Sequence, residues 1–384
     1  MADINGDGLP DLIRLFEYTT PPQYGDTPVT SSQKQVYLNT GSAFVSSSSY
    51  TTSLPNAFFA STEGRDMGTR LVDINGDNLP DLVQMYYGIA GRMNAHLNTG
   101  TGFQYSSAYS TGLANSNMFF SGFGDRSDMG TRLADINGDG LVDLIQLYKP
   151  SNWDYGNNEQ LKVAINTGSF FDLNNTYNNG RIPNTFFSGS TTDGAGTHDM
   201  GTRLADINGD GLLDLIQLYL PVDGSTPQRR THLNTGKQFE EAISIFYVED
   251  YYISDSARNS LGTEIFDVNG DGAEDIVQSY QPVAGGYYGG ILQKRVLLSK
   301  KKSIKLSEVV DSLGGRQKVS YGLGTNRSLY LPASPSTYPL MSLGNPGFLV
   351  STLQTDNGKG GFNSLSYSIR RFKSAFTRFR RFRF

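Results

Sequence analysis

The chain of 384 residues holds no cysteine and only three histidines, which excludes disulfides, thiolate catalysis, iron–sulfur clusters and cysteine-bearing zinc sites. Its net charge of −5 is too mild to point to a nucleic-acid partner; no run of about 18 uncharged apolar residues predicts a membrane span, and the start at Met1 has neither the basic nor the apolar region of a secretory signal. Forty-four glycines, 22 tyrosines, 22 phenylalanines and a charged fraction of 18%, against a usual quarter, predict turns and strands rather than long helices.

The first element is an acidic nonapeptide, Asp-Ile-Asn-Gly-Asp-Gly-Leu-Pro-Asp at residues 3–11, which recurs in close copies at 73–81, 135–143, 206–214 and 267–275. A second landmark keeps phase with it: Leu-Asn-Thr-Gly at 38–41 with Phe44, the same at 97–100 with Phe103, Ile-Asn-Thr-Gly at 165–168 with Phe170, and Leu-Asn-Thr-Gly at 233–236 with Phe239. In the fifth copy it has decayed to Leu298-Ser299-Lys300. Three acidic motifs are preceded by Met-Gly-Thr-Arg at 67–70, 129–132 and 200–203, with Asp66, Asp128 or Asp199 just ahead. A Phe-Phe pair comes earlier still, at 58–59, 119–120 and 186–187. The chain is therefore an array of about five repeats.

Within a repeat, residues 202–207 and 214–219 alternate in polarity around the Asn-Gly-Asp-Gly turn, which predicts a hairpin closed by the acidic loop. A Pro/Gly/Ser loop leads to a third strand at 230–233, and the Asn234-Thr-Gly236 turn starts a fourth near Phe239. Four short antiparallel strands per repeat, without helical periodicity, predict an all-β chain: a β-propeller of four-stranded blades with calcium-binding hairpin loops, incomplete as far as this chain goes, followed by a short β-rich segment. The other architectures are a β-solenoid, whose repeats are usually much shorter, and tandem sandwiches, which need about 100 residues each.

The acidic loops offer carboxylate and amide oxygens at positions 1, 3, 5 and 9 and a main-chain carbonyl at 7, the hard donors calcium prefers. The candidate ligands are Asp3, Asn5, Asp7, Leu9 and Asp11; Asp73, Asn75, Asp77, Leu79 and Asp81; Asp135, Asn137, Asp139, Leu141 and Asp143; Asp206, Asn208, Asp210, Leu212 and Asp214; and Asp267, Asn269, Asp271, Ala273 and Asp275. Leu9, its three leucine counterparts and Ala273 serve through the carbonyl. Up to five Ca2+ ions, one per loop, are expected. An EF-hand is excluded because no flanking helices are predicted and position 12 is Arg14, Gln84, Gln146, Gln217 or Gln278, never Glu. A plain hairpin turn is the bland alternative. Three carboxylates kept in one turn five times over repel one another unless a cation is present, which favours the metal.

These motifs resemble the FG-GAP/VCBS repeats of integrin-α-like β-propellers, in which a calcium-bearing hairpin loop joins the first two strands of a blade. The resemblance covers about residues 3–302. The segment Ile304-Lys-Leu-Ser-Glu-Val-Val-Asp-Ser-Leu-Gly-Gly-Arg316, with Val319-Ser-Tyr321, Tyr338-Pro339, Phe348-Leu-Val-Ser351 and Tyr367, is similar to the region after the propeller in the B component of insecticidal Tc toxin complexes and in SpvB-like, RHS-associated proteins. The resemblance implies a secreted bacterial toxin module, read as a fragment, whose propeller docks on a pore-forming A-type subunit or sits with an RHS shell. Its domains would be 1–302, an FG-GAP/VCBS propeller of about five blades with the first incomplete; 303–369, the start of a middle β region; and 370–384, a basic–aromatic tail read as disordered or frame-shifted. No RHS Tyr-Asp repeats follow. The competing functions are integrin-like adhesion or binding of a glycan or host surface and, less favoured, a non-catalytic part of a polysaccharide-active enzyme.

Catalysis is not expected, since no Ser/His/Asp trio, carboxylate pair outside the loops or phosphate-cradling loop can be assembled. His96 and His232 share a position that holds Tyr37 and Ala164 elsewhere, which makes them structural, and His198 has Arg65 and Ser127 as counterparts. Arg70, Arg132 and Arg203 read as ion-pair partners within their repeats in preference to a ligand-binding ring, and the Phe-Phe pairs read as packing anchors. Trp153 and Tyr155 fall in an inter-strand loop open to a partner or sugar.

Overall fold

In the second repeat, Thr69–Val72 pairs antiparallel with Asp81–Tyr87, from Thr69 opposite Gln84 to Val72 opposite Asp81, so the acidic loop closes a hairpin. Arg92–Asn98 and Phe103–Tyr105 extend the sheet as a meander, and Ser121–Gly122 adds a parallel pairing on Tyr86 and Tyr87. The computed structural model describes residues 1–20, 29–61, 64–88, 92–122, 128–150, 159–179, 182–190, 196–221, 226–242, 251–257, 259–269, 272–282, 290–299, 306–310, 315–323, 326, 328–331, 340–342, 348–370 and 373–375. Strand outweighs helix by 49% to 7%, so the chain is mostly β, in several small sheets.

The same order recurs. The third repeat runs Thr131–Ala134, Asp143–Lys149, Gln160–Asn166 and Phe171–Asp172, and the fourth Thr202–Ala205, Asp214–Leu220, Gln228–Asn234 and Phe239–Glu241. In the first, Leu12–Thr20, Val29–Asn39 and Phe44–Ser46 form the meander and Ala2 bridges Asp11. The third repeat corrects one landmark: the residue opposite Asn166 is Phe171, not Phe170. Phe171 is 2% exposed and Phe170 43%. A one-residue shift in a strand exchanges its faces, and the adjacent pair of phenylalanines hides which one is the anchor.

Three helices, Ser48–Ser53, Ser107–Ser116 and Thr176–Asn179, stand where the sequence predicts none. The second is built of Ser, Ala, Thr, Gly and Asn around Tyr109 and Leu113, so it has almost no apolar stripe to detect. A small residue is required on its inner side, because a Cβ at Gly112 would lie 2.8 Å from the Phe171 main-chain nitrogen.

The core lies between successive repeats. Asp81–Tyr87 is buried over six of its seven residues because both faces are covered. Leu82 and Tyr86 pack with Ile4, Leu15, Val36 and Phe58 of the first repeat, while Val83 and Met85 join Leu144, Ala164 and Phe171 of the third. Ile145 and Leu147 likewise pack with Leu215 and Phe239 of the fourth. The first four repeats thus complete one another's cores, the condition under which repeat arrays become stable. Phe58, Phe119, Phe120, Phe186 and Phe187 are all buried, as expected of packing anchors.

Contacts divide the chain into two compact units: residues 1–205, 212–244 and 248–263, and residues 206–211, 245–247 and 264–384. The second unit holds the sheet of Asp275–Tyr280 and Gln293–Leu297, and a four-stranded sheet ordered Glu308–Val310, Arg316–Leu323, Phe348–Asp356 and Phe362–Ser366. Ile369–Arg370 pairs with Tyr330–Leu331, and Lys373–Ala375 with Leu340–Ser342. Residues 371–372 and 376–384 of the basic tail lie outside the described residues.

Candidate metal-binding loops

In the loop of residues 3–11, Asp3 Oδ1 accepts the main-chain N–H groups of Gly6 and Asp7, and Oδ2 that of Gly8. Asn5 Oδ1 accepts from Asp7 N–H, the Asn5 amide donates to Asp7 Oδ2, and Asp7 Oδ1 accepts from Leu9 N–H. Asp73, Asn75 and Asp77 repeat this arrangement on Gly76, Asn78 and Leu79, and Asp135, Asn137 and Asp139 repeat it on Gly138, Gly140 and Leu141. The sixth position has φ of +88° at Gly8, +69° at Asn78 and +92° at Gly140, so Asn78 fills the left-handed conformation the glycines adopt. Asp206, Asn208 and Asp210 form the same turn, and Asp267 Oδ2 accepts from Gly272 N–H. Asp271 lies outside the described residues.

The ninth position behaves differently from the other three. Asp11, Asp81 and Asp143 are 0% exposed, and each uses both oxygens. One accepts the N–H of the second loop residue, Ile4, Ile74 or Ile136; the other accepts the N–H of the asparagine in Asn-Thr-Gly, Asn39, Asn98 or Asn166. Asp214 accepts in the same way from Asn234 N–H, and Asp275 from Val268 and Ser299. Burial pushes the Asp81 and Asp143 carboxyls up to about 6 despite these hydrogen bonds. Asp11 is raised for the same cause. The two sequence landmarks are therefore one device, a buried carboxylate clasping loop and turn together.

The clasp also crosses between repeats. The side-chain amides of Asn98, Asn166 and Asn234 donate to the carbonyls of Ile4, Ile74 and Ile136 in the preceding repeat at 2.7, 2.6 and 2.7 Å. Those carbonyls also accept the hydroxyls of Tyr50, Tyr109 and Tyr177, which the short helices deliver. In the fifth copy, Ser299 Oγ donates to the Ile207 carbonyl and its N–H to Asp275, so the turn that looked decayed keeps both bonds. Leucine at the seventh position adds packing: a Cβ on Gly6, Gly76 or Gly138 would meet Leu79, Leu141 or Leu212 of the next repeat at 3.2, 3.1 and 2.8 Å.

The Met-Gly-Thr-Arg motif has no part in the loops' donor set. Gln84, Gln146 and Gln217, at the twelfth position, donate to the carbonyls of Met67, Met129 and Met200, which fixes the Met-Gly turn. Arg70, Arg132 and Arg203 form two-pronged ion pairs with Asp66, Asp128 and Asp199, as the spacing predicts. Arg70 and Arg132 also stack 5.0 Å from the rings of Phe120 and Phe187. His96 and His232 are lowered by burial, which favours the neutral ring, and His198 Nε2 lies 3.0 Å from the Tyr219 hydroxyl. Trp153 and Tyr155 lie outside the described residues.

Chemically, positions 1, 3 and 5 of three loops present carboxylate and amide oxygens at or near the surface, and a carboxylate oxygen that accepts one N–H keeps a lone pair for a cation. The donors thus fit calcium by class. Among the described residues no group of three or more Asp, Glu, His or Cys side chains stands gathered around a metal position; the carboxylates are engaged with the loops' own N–H groups. No described helix is long and apolar enough to cross a membrane.

No family model matches the chain, and no curated protein matches it. A structure of the Photorhabdus luminescens Tc holotoxin pore matches 84% of this chain at 17% identity with a TM-score of 0.31. The chain spans 15% of the length of that protein.

Proposed function

We propose that the protein is a calcium-stabilised, propeller-type repeat module of a secreted toxin assembly, which acts by docking to a protein partner rather than by catalysis. The observation that carries the metal part is the identical arrangement of Asp, Asn, Asp and buried Asp in three loops of one unit, at residues 3–11, 73–81 and 135–143. Asp3, Asn5, Asp7 and their counterparts would hold the ion, with the Leu9, Leu79 and Leu141 carbonyls completing the set. The fourth and fifth copies carry the same residue types in sequence. A bound ion would neutralise carboxylates crowded in one turn and hold it in its hairpin conformation; no bond is made or broken there. Because the ninth-position carboxylate ties each loop to the repeat interface, metal binding would stiffen the array.

The docking role rests on the likeness of residues 304–367 to the segment after the propeller in Tc-type B components. Calcium titration by calorimetry, with magnesium as control, tests the metal. Co-sedimentation with a purified A-type pore-forming subunit in calcium and in EGTA tests the docking. Absence of calcium binding overturns the first part, and absence of complex formation overturns the second.

A further inference from the structure

Between the helix Ser107–Ser116 of the second repeat and residues 170–174 of the third lies a groove of about 540 Å³. Ser107, Thr111 and Asn115 line it from the helix, one turn apart; Phe170, Asp172 and Asn174 line it from the third repeat. Its floor is tight, since Gly112 lies directly against the Phe171 backbone.

Two features set this groove apart from its counterparts. Phe170 is 43% exposed, in a place where the other repeats carry Ala43, Gly102 and Gln238, so the open ring is no part of the shared architecture. Between the first and second repeats the equivalent space is closed: a Cβ at Gly102 would lie 2.7 Å from Ser53 Oγ, which itself accepts the Phe103 N–H. The polar side chains here are also uncommitted. Asn175 and Asn178 of the same repeat donate to the Val163 carbonyl, whereas the side chains of Ser107, Thr111, Asn115 and Asn174 have no hydrogen bond to the protein among the described residues.

We propose that this groove binds a neutral oligosaccharide. A sugar offers apolar ring faces and hydroxyls that both donate and accept. Phe170 offers an open aromatic face, and two hydroxyls and two amides flank it with both donors and acceptors. The volume falls in the range of about 300–1,000 Å³ usual for small-ligand sites. The sole charged group in the lining is Asp172, which accepts the Asn174 N–H, and none of the described lining residues is a cation. An acidic sugar would meet repulsion without compensation. The assignment depends neither on calcium nor on a toxin partner.

The experiment is saturation-transfer NMR on the full chain with four probes: maltotriose, chitotriose, lactose and 3′-sialyllactose, each with the wild type and with Phe170→Ala and Asn115→Ala. Phe170 is exposed, so its truncation leaves the fold intact, which circular dichroism checks. At least one neutral probe should bind, about tenfold more weakly to Phe170→Ala, and sialyllactose should bind no better than lactose. Failure of every neutral probe to bind, equal binding by a folded Phe170→Ala variant, or preference for the sialylated probe overturns the assignment.

Discussion

The side-chain amide of Asn166 donates to the main-chain carbonyl of Ile74 at 2.6 Å, from one repeat to the one before it and across 92 residues of sequence. The N–H of Asn166 bonds Asp143, Asp143 accepts the N–H of Ile136, and the Ile136 carbonyl accepts Asn234, whose N–H reaches Asp214. A single chain of buried hydrogen bonds thus runs through the second, third and fourth repeats and passes behind the acidic loops. Removing a link leaves buried polar groups unpaired, which costs about 1–3 kcal/mol each. Asn166→Ala should lower stability by about 2–3 kcal/mol in urea unfolding. Asn166→Ser should recover part of that loss, because Ser299 makes the equivalent bonds in the fifth copy.

The Met-Gly turn is a second sensitive point. Gly130 has φ of +68°, and a Cβ there would lie 2.4 Å from the Leu147 carbonyl oxygen. Both the backbone conformation and the close approach exclude a side chain, and the obstructing atom is main chain that cannot rotate away. Gly130→Ala should cost more than about 3 kcal/mol. Gly140→Ala, at φ +92° but with open space around the Cβ, should cost roughly 1–2 kcal/mol from backbone strain alone. Paired thermal melts in EGTA, where metal binding plays no part, compare the two directly.

The buried carboxylates predict an unusual pH response of the metal-free chain. Burial lifts Asp81 and Asp143 from 3.8 to about 6 in the folded protein, so the folded state holds protons that the unfolded state has released. The stabilisation is complete below 3.8 and is lost as pH rises through 6, on the order of 3 kcal/mol per carboxylate. In EGTA the protein should therefore melt at higher temperature at pH 5 than at pH 7.5. Asp143→Asn should be less stable overall yet show a smaller difference between the two pH values. A melting temperature that rises from pH 5 to pH 7.5 in both proteins would count against this assignment.

Repeat number, hairpins and ion pairs were legible because each is encoded locally: the nonapeptide closes its own hairpin, and Arg132 meets Asp128 four residues away. The clasp was not legible, because Asn166 and Ile74 lie 92 residues apart and the sequence does not show which carbonyl an amide will find. The ninth aspartate read as a ligand like the first, third and fifth; that it is buried and bonded to two N–H groups becomes visible only once the Asn-Thr-Gly turn folds back on it. The helix Ser107–Ser116 escaped notice because it is held by Tyr109 and by close packing at Gly112 rather than by an apolar stripe.

Calcium should act on the folded state alone, because the loop donors converge only when the hairpins form. A ligand at a hundredfold excess over its dissociation constant stabilises by about 2.7 kcal/mol per site. Three loops of one unit therefore give a combined effect of roughly 8 kcal/mol if they fill independently. Melting in millimolar calcium should lie well above melting in EGTA, with magnesium giving a smaller rise because it dehydrates reluctantly. Asp135→Ala removes one expected ligand and also the acceptor of the Gly138 and Gly140 N–H groups, so it lowers stability even without metal. The decisive quantity is therefore the calcium-dependent increment, which should fall by about a third in this variant. An increment equal to that of the wild type would show that the loop of residues 135–143 binds no ion and is a hydrogen-bonded turn alone.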